Sequence, residues 1–392
     1  MLLSLILAPV MRATELMLHR PTRQATFVSA AFDRPTLKAR RIIVVVAVST
    51  VCGFSASALA QSDAGGTAAV TVASTLTPQS LDVQIGEGRA VLAGTLVLPS
   101  KATRSPAVVM VSGSGPNDRY GHIRGFPAYG VIAEHLARSG TAVLLLDRRG
   151  VGGSAGNWKH ERIEDRARDV LNALQWLRAR PEIDAGHVGI LGHSQGGWVA
   201  ELAAANSPDV AFVVLMAGPG ETVREQVLTD ERNELLRSGH PLVEVEKRVR
   251  VVDRWLGVMD AIAPACRLTR LHPLCYTVEF DPAPALRRIH VPVLALFGEL
   301  DTMVPPARNV DRIETALREG GNKQLKITVF DGANHQFWAA KSGARAEYAQ
   351  LRPEYVPGFL DAISGWIATV SAPAVEGASS KLGPAHATRL VH

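Results

Sequence analysis

From Ala107 to Phe330, continuous apolar runs of strand length alternate with amphipathic helical stretches, and this alternation limits the fold more than any other feature. The strand candidates are Ala107–Val111, Ala142–Leu146, Val188–Leu191, Phe212–Met216, Val291–Phe297 and Leu325–Phe330. A strand that is apolar on both faces must be covered on both faces, which suits a parallel sheet between two helical layers. The helical candidates are Tyr129–Arg138, Ile163–Arg180, Gly196–Ala205, Arg308–Glu319 and Glu354–Val370. In Ile163–Arg180 the residues Val170, Leu171, Leu174, Trp176 and Leu177 supply an apolar stripe, and Pro181 stops the run. The pattern predicts an α/β chain with a mostly parallel central sheet flanked by helices.

Ahead of the alternation, runs near Leu81–Ile85 and Ala90–Leu98 flank Gly86-Glu87-Gly88 and predict a hairpin. Residues 219–283 interrupt the alternation. They are highly charged from Glu221 to Arg254 and hold no strand run, which predicts an inserted helical cap. The expected organisation is a leader (1–60), a linker (61–80), a core (81–218 and 284–370), the cap (219–283) and a disordered tail (371–392).

The 392 residues carry a formal charge of +5, and the location of that charge decides what it means. Residues 1–60 hold seven basic and two acidic side chains, leaving 35 of each sign in the remainder. The basic excess therefore belongs to the leader and gives no case for nucleic acid. Arg40-Arg41, the apolar run Ile42–Val48 and the small residues ending Ala58-Leu59-Ala60 match a secretory signal peptide cleaved after Ala60. The expected location is the periplasm or beyond, with no stable membrane anchor after cleavage. Cys266 and Cys275 would survive cleavage, either bridged or as two buried thiols. Neither of them, nor any other part of the sequence, fixes an oligomeric state.

After the strand Val188–Leu191 comes Gly192-His193-Ser194-Gln195-Gly196-Gly197, leading into a helix. A nucleophile on so sharp a turn needs glycine two residues to either side, because side chains there would strike the strand and the helix. Serine is a weak nucleophile and needs a base, which in turn needs an orienting carboxylate. On this topology the order is serine, acid, histidine, each just past a strand end. Asp301 in Gly298-Glu299-Leu300-Asp301 and His335 in Gly332-Ala333-Asn334-His335 occupy those places. Glu299 and Asp331 are the competing carboxylates; Glu299 is expected at the pocket rim or in solvent. His193 is expected to point away and pack. An oxyanion needs two backbone N–H groups, predicted at Gln195 and, in the glycine-rich loop after the first core strand, at Ser114. No HExxH, paired CxxC or GxxxxGK[ST] occurs, so neither a metal nor another cofactor is expected.

Together these residues resemble the α/β-hydrolase superfamily from about Leu81 to Val370. Asp147-Arg148-Arg149-Gly150-Val151-Gly152-Gly153-Ser154 matches a loop that many members carry, here read as structural. The segments Gly113–Arg119 and Asp281–Leu286 are similar to a bacterial exported group related to dienelactone hydrolases and serine aminopeptidases. The resemblance implies a serine hydrolase that transfers the acyl group of a small-molecule ester to water. A serine aminopeptidase acting on amides, using a cap carboxylate for the substrate amine, is the alternative within the fold. A catalytically inactive binding protein is the alternative from another class.

Overall fold

A computed structural model describes residues 77–86, 91–100, 104–269 and 280–372, apart from the side chains of 264–269. The leader with its cleavage point, the linker up to residue 76, the Cys266–Cys275 pairing and the tail from residue 373 lie outside this description.

Eight strands form one sheet: β1 (Gln79–Ile85), β2 (Leu92–Leu98), β3 (Ser105–Val111), β6 (Ala142–Leu146), β7 (Ile183–His193), β8 (Val213–Met216), β9 (Val293–Gly298) and β10 (Leu325–Phe330). Their order is β1-β2-β6-β3-β7-β8-β9-β10. β2 is antiparallel to both its neighbours, while β6, β3, β7, β8, β9 and β10 run parallel. A separate two-stranded pair, β4 (His122–Ile123) with β5 (Phe126–Pro127), turns at Arg124 and Gly125, both at positive φ (53° and 82°). Two residues with positive φ suit the tight turns whose twist matches a hairpin.

The helices are α1 (Ala128–Arg138), α2 (Ile163–Arg178), α3 (Gln195–Asn206), α4 (Val223–Arg237), α5 (Leu242–Thr269), α6 (Ala283–Leu286), α7 (Pro306–Glu319) and α8 (Phe359–Val370). Successive strand residues point to opposite faces, so a fully apolar strand feeds two cores. Val108, Met110, Val143, Leu145, Leu191, Val214, Met216, Leu294 and Leu296 pack with α1 and α8 on one face. On the other face α2 and α3 lie against β7, and α7 lies against β9 and β10. α8 starts five residues later than its hydropathy suggests. Gly358 at φ 78° breaks the backbone just before it, and Tyr355 pairs with Trp338 as an isolated bridge.

Chain order places the crevice. From β3 the chain passes to β6 on one side and then to β7 on the other, so the connections diverge at the β3–β7 boundary. In such sheets the crevice opens beyond the carboxyl ends of the strands at that boundary. The loop 112–119 and Ser194 lie there.

α4 and α5 occupy the interruption in the alternation. Thr222 caps α4 reciprocally with Glu225: each side chain accepts from the other's backbone N–H, at 3.2 and 3.1 Å. α4 is fastened to the β9–α7 connection, where Gln226 donates to the Met303 carbonyl (3.1 Å) and Asn233 to that of Thr302 (2.8 Å). Arg308 donates to the fully buried Glu221 at 2.6 Å. α5 is tied to α4 by Arg224 with Asp253 and Asp260, and by Arg248 with Glu231.

Candidate active site

Ser194 sits at φ 54° and ψ −123°, the first residue off β7 and the N-cap of α3. A non-glycine residue held there stores about 1–3 kcal/mol of strain, which persists only where its surroundings impose it. The glycines two residues to either side permit it. A Cβ on Gly192 would lie 2.2 Å from the Gly196 carbonyl oxygen, and one on Gly196 would lie 2.3 Å from that of Val111. From β8, the Met216 carbonyl takes the Ser194 N–H at 2.9 Å. The result raises Ser194 above the carboxyl end of the sheet, at the positive end of α3.

Asp301 follows β9 and His335 follows β10, and the two side chains meet. His335 Nδ1 lies 2.7 Å from Asp301 Oδ2, with both residues buried. The other oxygen, Oδ1, accepts from the backbone N–H groups of Met303 (2.8 Å) and Val304 (2.9 Å). Gly298 lets the loops approach: a Cβ there would lie 2.5 Å from the carbonyl oxygens of both Ala333 and Asn334. The fully buried Asn334 folds the histidine turn by accepting from Gln336 N (2.9 Å) and Trp338 N (3.1 Å). Glu299 is exposed and accepts from Gly332 N at 2.8 Å, joining the two loops from outside; Asp331 is exposed as well.

Ser114 and Gln195, the predicted oxyanion residues, line one pocket with Ser194. The Ser114 loop is held from within by Asn117, whose Nδ2 donates to the carbonyls of Gly113 (3.1 Å) and Ser114 (2.9 Å). Arg148 adds a bond to the Gly115 carbonyl at 2.9 Å. Asp147 binds Arg119 and Gly153, which is a structural use of the first carboxylate in the loop 147–154. The sequence reading missed Arg166. Its Nη1 donates to Gln195 Oε1 (2.9 Å) and its Nη2 to the Ser112 carbonyl (2.6 Å), so one buried guanidinium ties both oxyanion segments together. Burial and the nearby Arg148 pull its pKa down to about 9. A signal existed: Arg166 interrupts the buried stripe of α2 between Ile163 and Val170.

His193 is packed, but it is also bonded. Its Nε2 lies 3.3 Å from the His335 carbonyl oxygen and its Nδ1 3.0 Å from Tyr129 Oη, which itself accepts from Gly113 N at 3.2 Å. A carbonyl can only accept, so Nε2 carries the ring proton, Nδ1 accepts, and the Tyr129 hydroxyl donates to it. Burial, then the neighbouring His335, lowers the His193 pKa to about 3; burial raises that of Tyr129 to about 12. Both are neutral, and they join the oxyanion loop, the elbow and the histidine turn in one chain. Gly113 N–H is thus occupied, which leaves Ser114 as the next donor along the loop.

The pocket over Ser194, about 440 Å³ including the part open to solvent, has an apolar wall of Trp198, Pro219, Val227 and Met303. Gln226 and Asp230 of α4 and Arg345 from the loop after His335 complete it, the last two as an ion pair. Nothing in the sequence pattern joins those two residues. Among the described residues, no three His, Cys, Asp or Glu side chains come together as a metal group.

A model described as the alpha/beta hydrolase family matches residues 108–351. The chain is similar to Esterase EstD of Thermotoga maritima, with 29% identity over 285 residues that make up 70% of this chain and 65% of that protein. The chain thus spans just under two thirds of that relative's length. It is also 28% identical to an uncharacterised Mycobacterium tuberculosis protein over 68% of this chain and 76% of the other. Among solved structures it is similar to a dienelactone hydrolase from Anabaena variabilis, with 21% identity, a TM-score of 0.44, and coverage of 75% of this chain and 96% of that one.

Proposed function

Because the chain belongs to the alpha/beta hydrolase family, we propose that it hydrolyses carboxylic esters through an acyl-serine intermediate on Ser194. One observation carries this reading: a strained, partly exposed serine stands at a helix N-terminus past the carboxyl end of β7, and a buried His335–Asp301 pair follows the carboxyl ends of the parallel strands β10 and β9 at the same edge of the sheet. The similarity to an esterase supports the choice of ester.

In the mechanism, Ser194 Oγ attacks the carbonyl carbon while its proton passes to Nε2 of His335. Asp301 holds Nδ1 and stabilises the imidazolium that forms. Backbone N–H groups of Ser114 and Gln195 take the charge that develops on the carbonyl oxygen, an interaction whose loss typically costs about 10²–10³ in rate. As the carbon–oxygen bond to the alcohol breaks, His335 returns the proton to the leaving oxygen. Water then gives a proton to His335 and its hydroxyl to the acyl carbon; as the bond from that carbon to Ser194 Oγ breaks, His335 returns the proton to Oγ, which releases the acid and restores Ser194. No step draws on a metal or cofactor.

The test is substitution at Ser194. Ser194→Ala is expected to abolish hydrolysis of p-nitrophenyl acetate and labelling by a fluorophosphonate, while the melting temperature stays close to that of the parent. Parental rates in that variant would refute the proposal. The export reading rests on the pattern Arg40 to Ala60; sequencing the N-terminus of protein from a periplasmic fraction tests it, with Gln61 expected first.

A further inference from the structure

The ion pair facing Ser194 is incompletely bonded. Arg345 reaches Asp230 through Nη2 and Oδ2, yet Arg345 Nε and Asp230 Oδ1 are buried with no hydrogen-bond partner among the described residues. Asp230 is only 4% exposed. Unpaired charged atoms in a low-dielectric site are costly, so each one that a structure retains calls for a partner or a function. Here both belong to side chains lining the pocket of the nucleophile. Burial raises the Asp230 carboxyl pKa even with Arg345 beside it, so the pair is poorly compensated as it stands.

The charges decide what could complete it. An ammonium drawn to Oδ1 would also approach the guanidinium, and a carboxylate drawn to Nε would also approach Asp230. Each full charge meets one attraction and one repulsion at similar range. A neutral group with one donor and one acceptor meets two attractions, and a hydroxyl is the smallest such group. The pocket also indicates which half of the ester carries it. The acyl half stays on Ser194 beside Ser114 and Gln195, which line this pocket. His335, which must reach the leaving oxygen, does not line it.

We propose that Asp230 and Arg345 form a specificity site for a neutral hydroxyl on the acyl chain of the substrate, with Trp198, Pro219, Val227 and Met303 covering the chain's carbon atoms. This rests on the ester-hydrolysis reading and narrows it to hydroxyacyl esters. Amines are disfavoured, because an N-terminal ammonium would meet Arg345.

The experiment compares p-nitrophenyl 3-hydroxybutyrate with p-nitrophenyl butyrate, and with the 4-aminobutyrate and hemisuccinate esters as charged controls. Wild-type kcat/KM is expected to favour the hydroxy ester by about tenfold or more, as for a hydrogen bond to a charged group, and to place both charged esters below butyrate. In Asp230→Asn and in Arg345→Gln the hydroxy-to-butyrate ratio should fall toward one. The ratio is taken within a single preparation, so partial loss of folded enzyme does not affect it. If one variant fails to fold, the other supplies the ratio. A wild-type ratio near one, a charged ester as the best substrate, or variants that keep the full preference would overturn the site. If butyrate itself is not hydrolysed and Ser194 takes no fluorophosphonate label, the ester reading fails instead.

Discussion

Nδ1 of His335 stands 2.7 Å from Oδ2 of Asp301, and the remaining oxygen of that acid is pinned by two backbone N–H groups, from Met303 and Val304. The pinning gives Asp301→Asn a definite outcome. Only the amide oxygen can face the Met303 and Val304 donors, so the NH₂ must face His335. Nδ1 then has to accept, the ring proton moves to Nε2, and the base can no longer take the Ser194 proton. A wrong tautomer in an otherwise intact triad costs about 10⁴ in kcat. We expect a fall of that order on p-nitrophenyl acetate with little change in KM. A fall of less than tenfold would give the acid role to another carboxylate.

Arg166 binds Gln195 Oε1 and the Ser112 carbonyl with the same guanidinium. Arg166→Met keeps much of the volume and removes both bonds. The two oxyanion segments then lose their common tie, and a misplacement near 1 Å can cost about 10² in rate. The expected result is a kcat reduced by about 10- to 100-fold with KM within about twofold, measured alongside the rate of fluorophosphonate labelling. An effect on KM alone would make Arg166 a substrate contact and not a positioning residue.

How much was legible beforehand depended on how local each requirement is. Ser194 was readable because the glycines that permit its backbone angles are its own neighbours. Asp301 and His335 were readable because β9 and β10 run parallel to β7, so their carboxyl ends fall on the same edge of the sheet as the elbow. Arg166 left a weaker trace, a charge that, with Asp169, falls among the apolar residues of the buried face of α2. The Asp230–Arg345 pair left none: it joins α4 to a distant loop, and no periodicity encodes that contact. His193 shows the same limit. Its neighbour Ser194 marked it as packed, but its partners Tyr129 and the His335 carbonyl come from separate elements.

His193 also fixes a pH dependence. Its pKa lies near 3 in the fold, against about 6.5 when exposed. Below pH 6.5 the unfolded chain takes up a proton that the native chain refuses. Stability therefore holds above pH 6.5 and is lost as pH falls toward 3, by about 1.4 kcal/mol per pH unit. His193→Asn carries no such proton. Urea melts at pH 6.5 and pH 5 should show the wild type losing about 2 kcal/mol more than the variant over that interval. Equal losses would mean that His193 is already charged in the native state.

Glu201 gives the opposite sign. It lies on α3, seven residues beyond Ser194, is fully buried, and neither of its oxygens has a partner among the described residues. Burial raises its pKa well above the ordinary glutamate value, so the native carboxyl keeps its proton where the unfolded one has lost it. That contribution is fully present at pH values below the ordinary pKa and declines as pH rises, until the native group ionises as well. Glu201→Gln keeps the shape and carries no titrating proton. The variant should therefore gain on the wild type as pH rises above about 4.3, until the native carboxyl ionises, read from urea melts at pH 5, 6 and 7. A gap that stays constant from pH 5 to 7 would mean that a cation neutralises Glu201 in the folded chain.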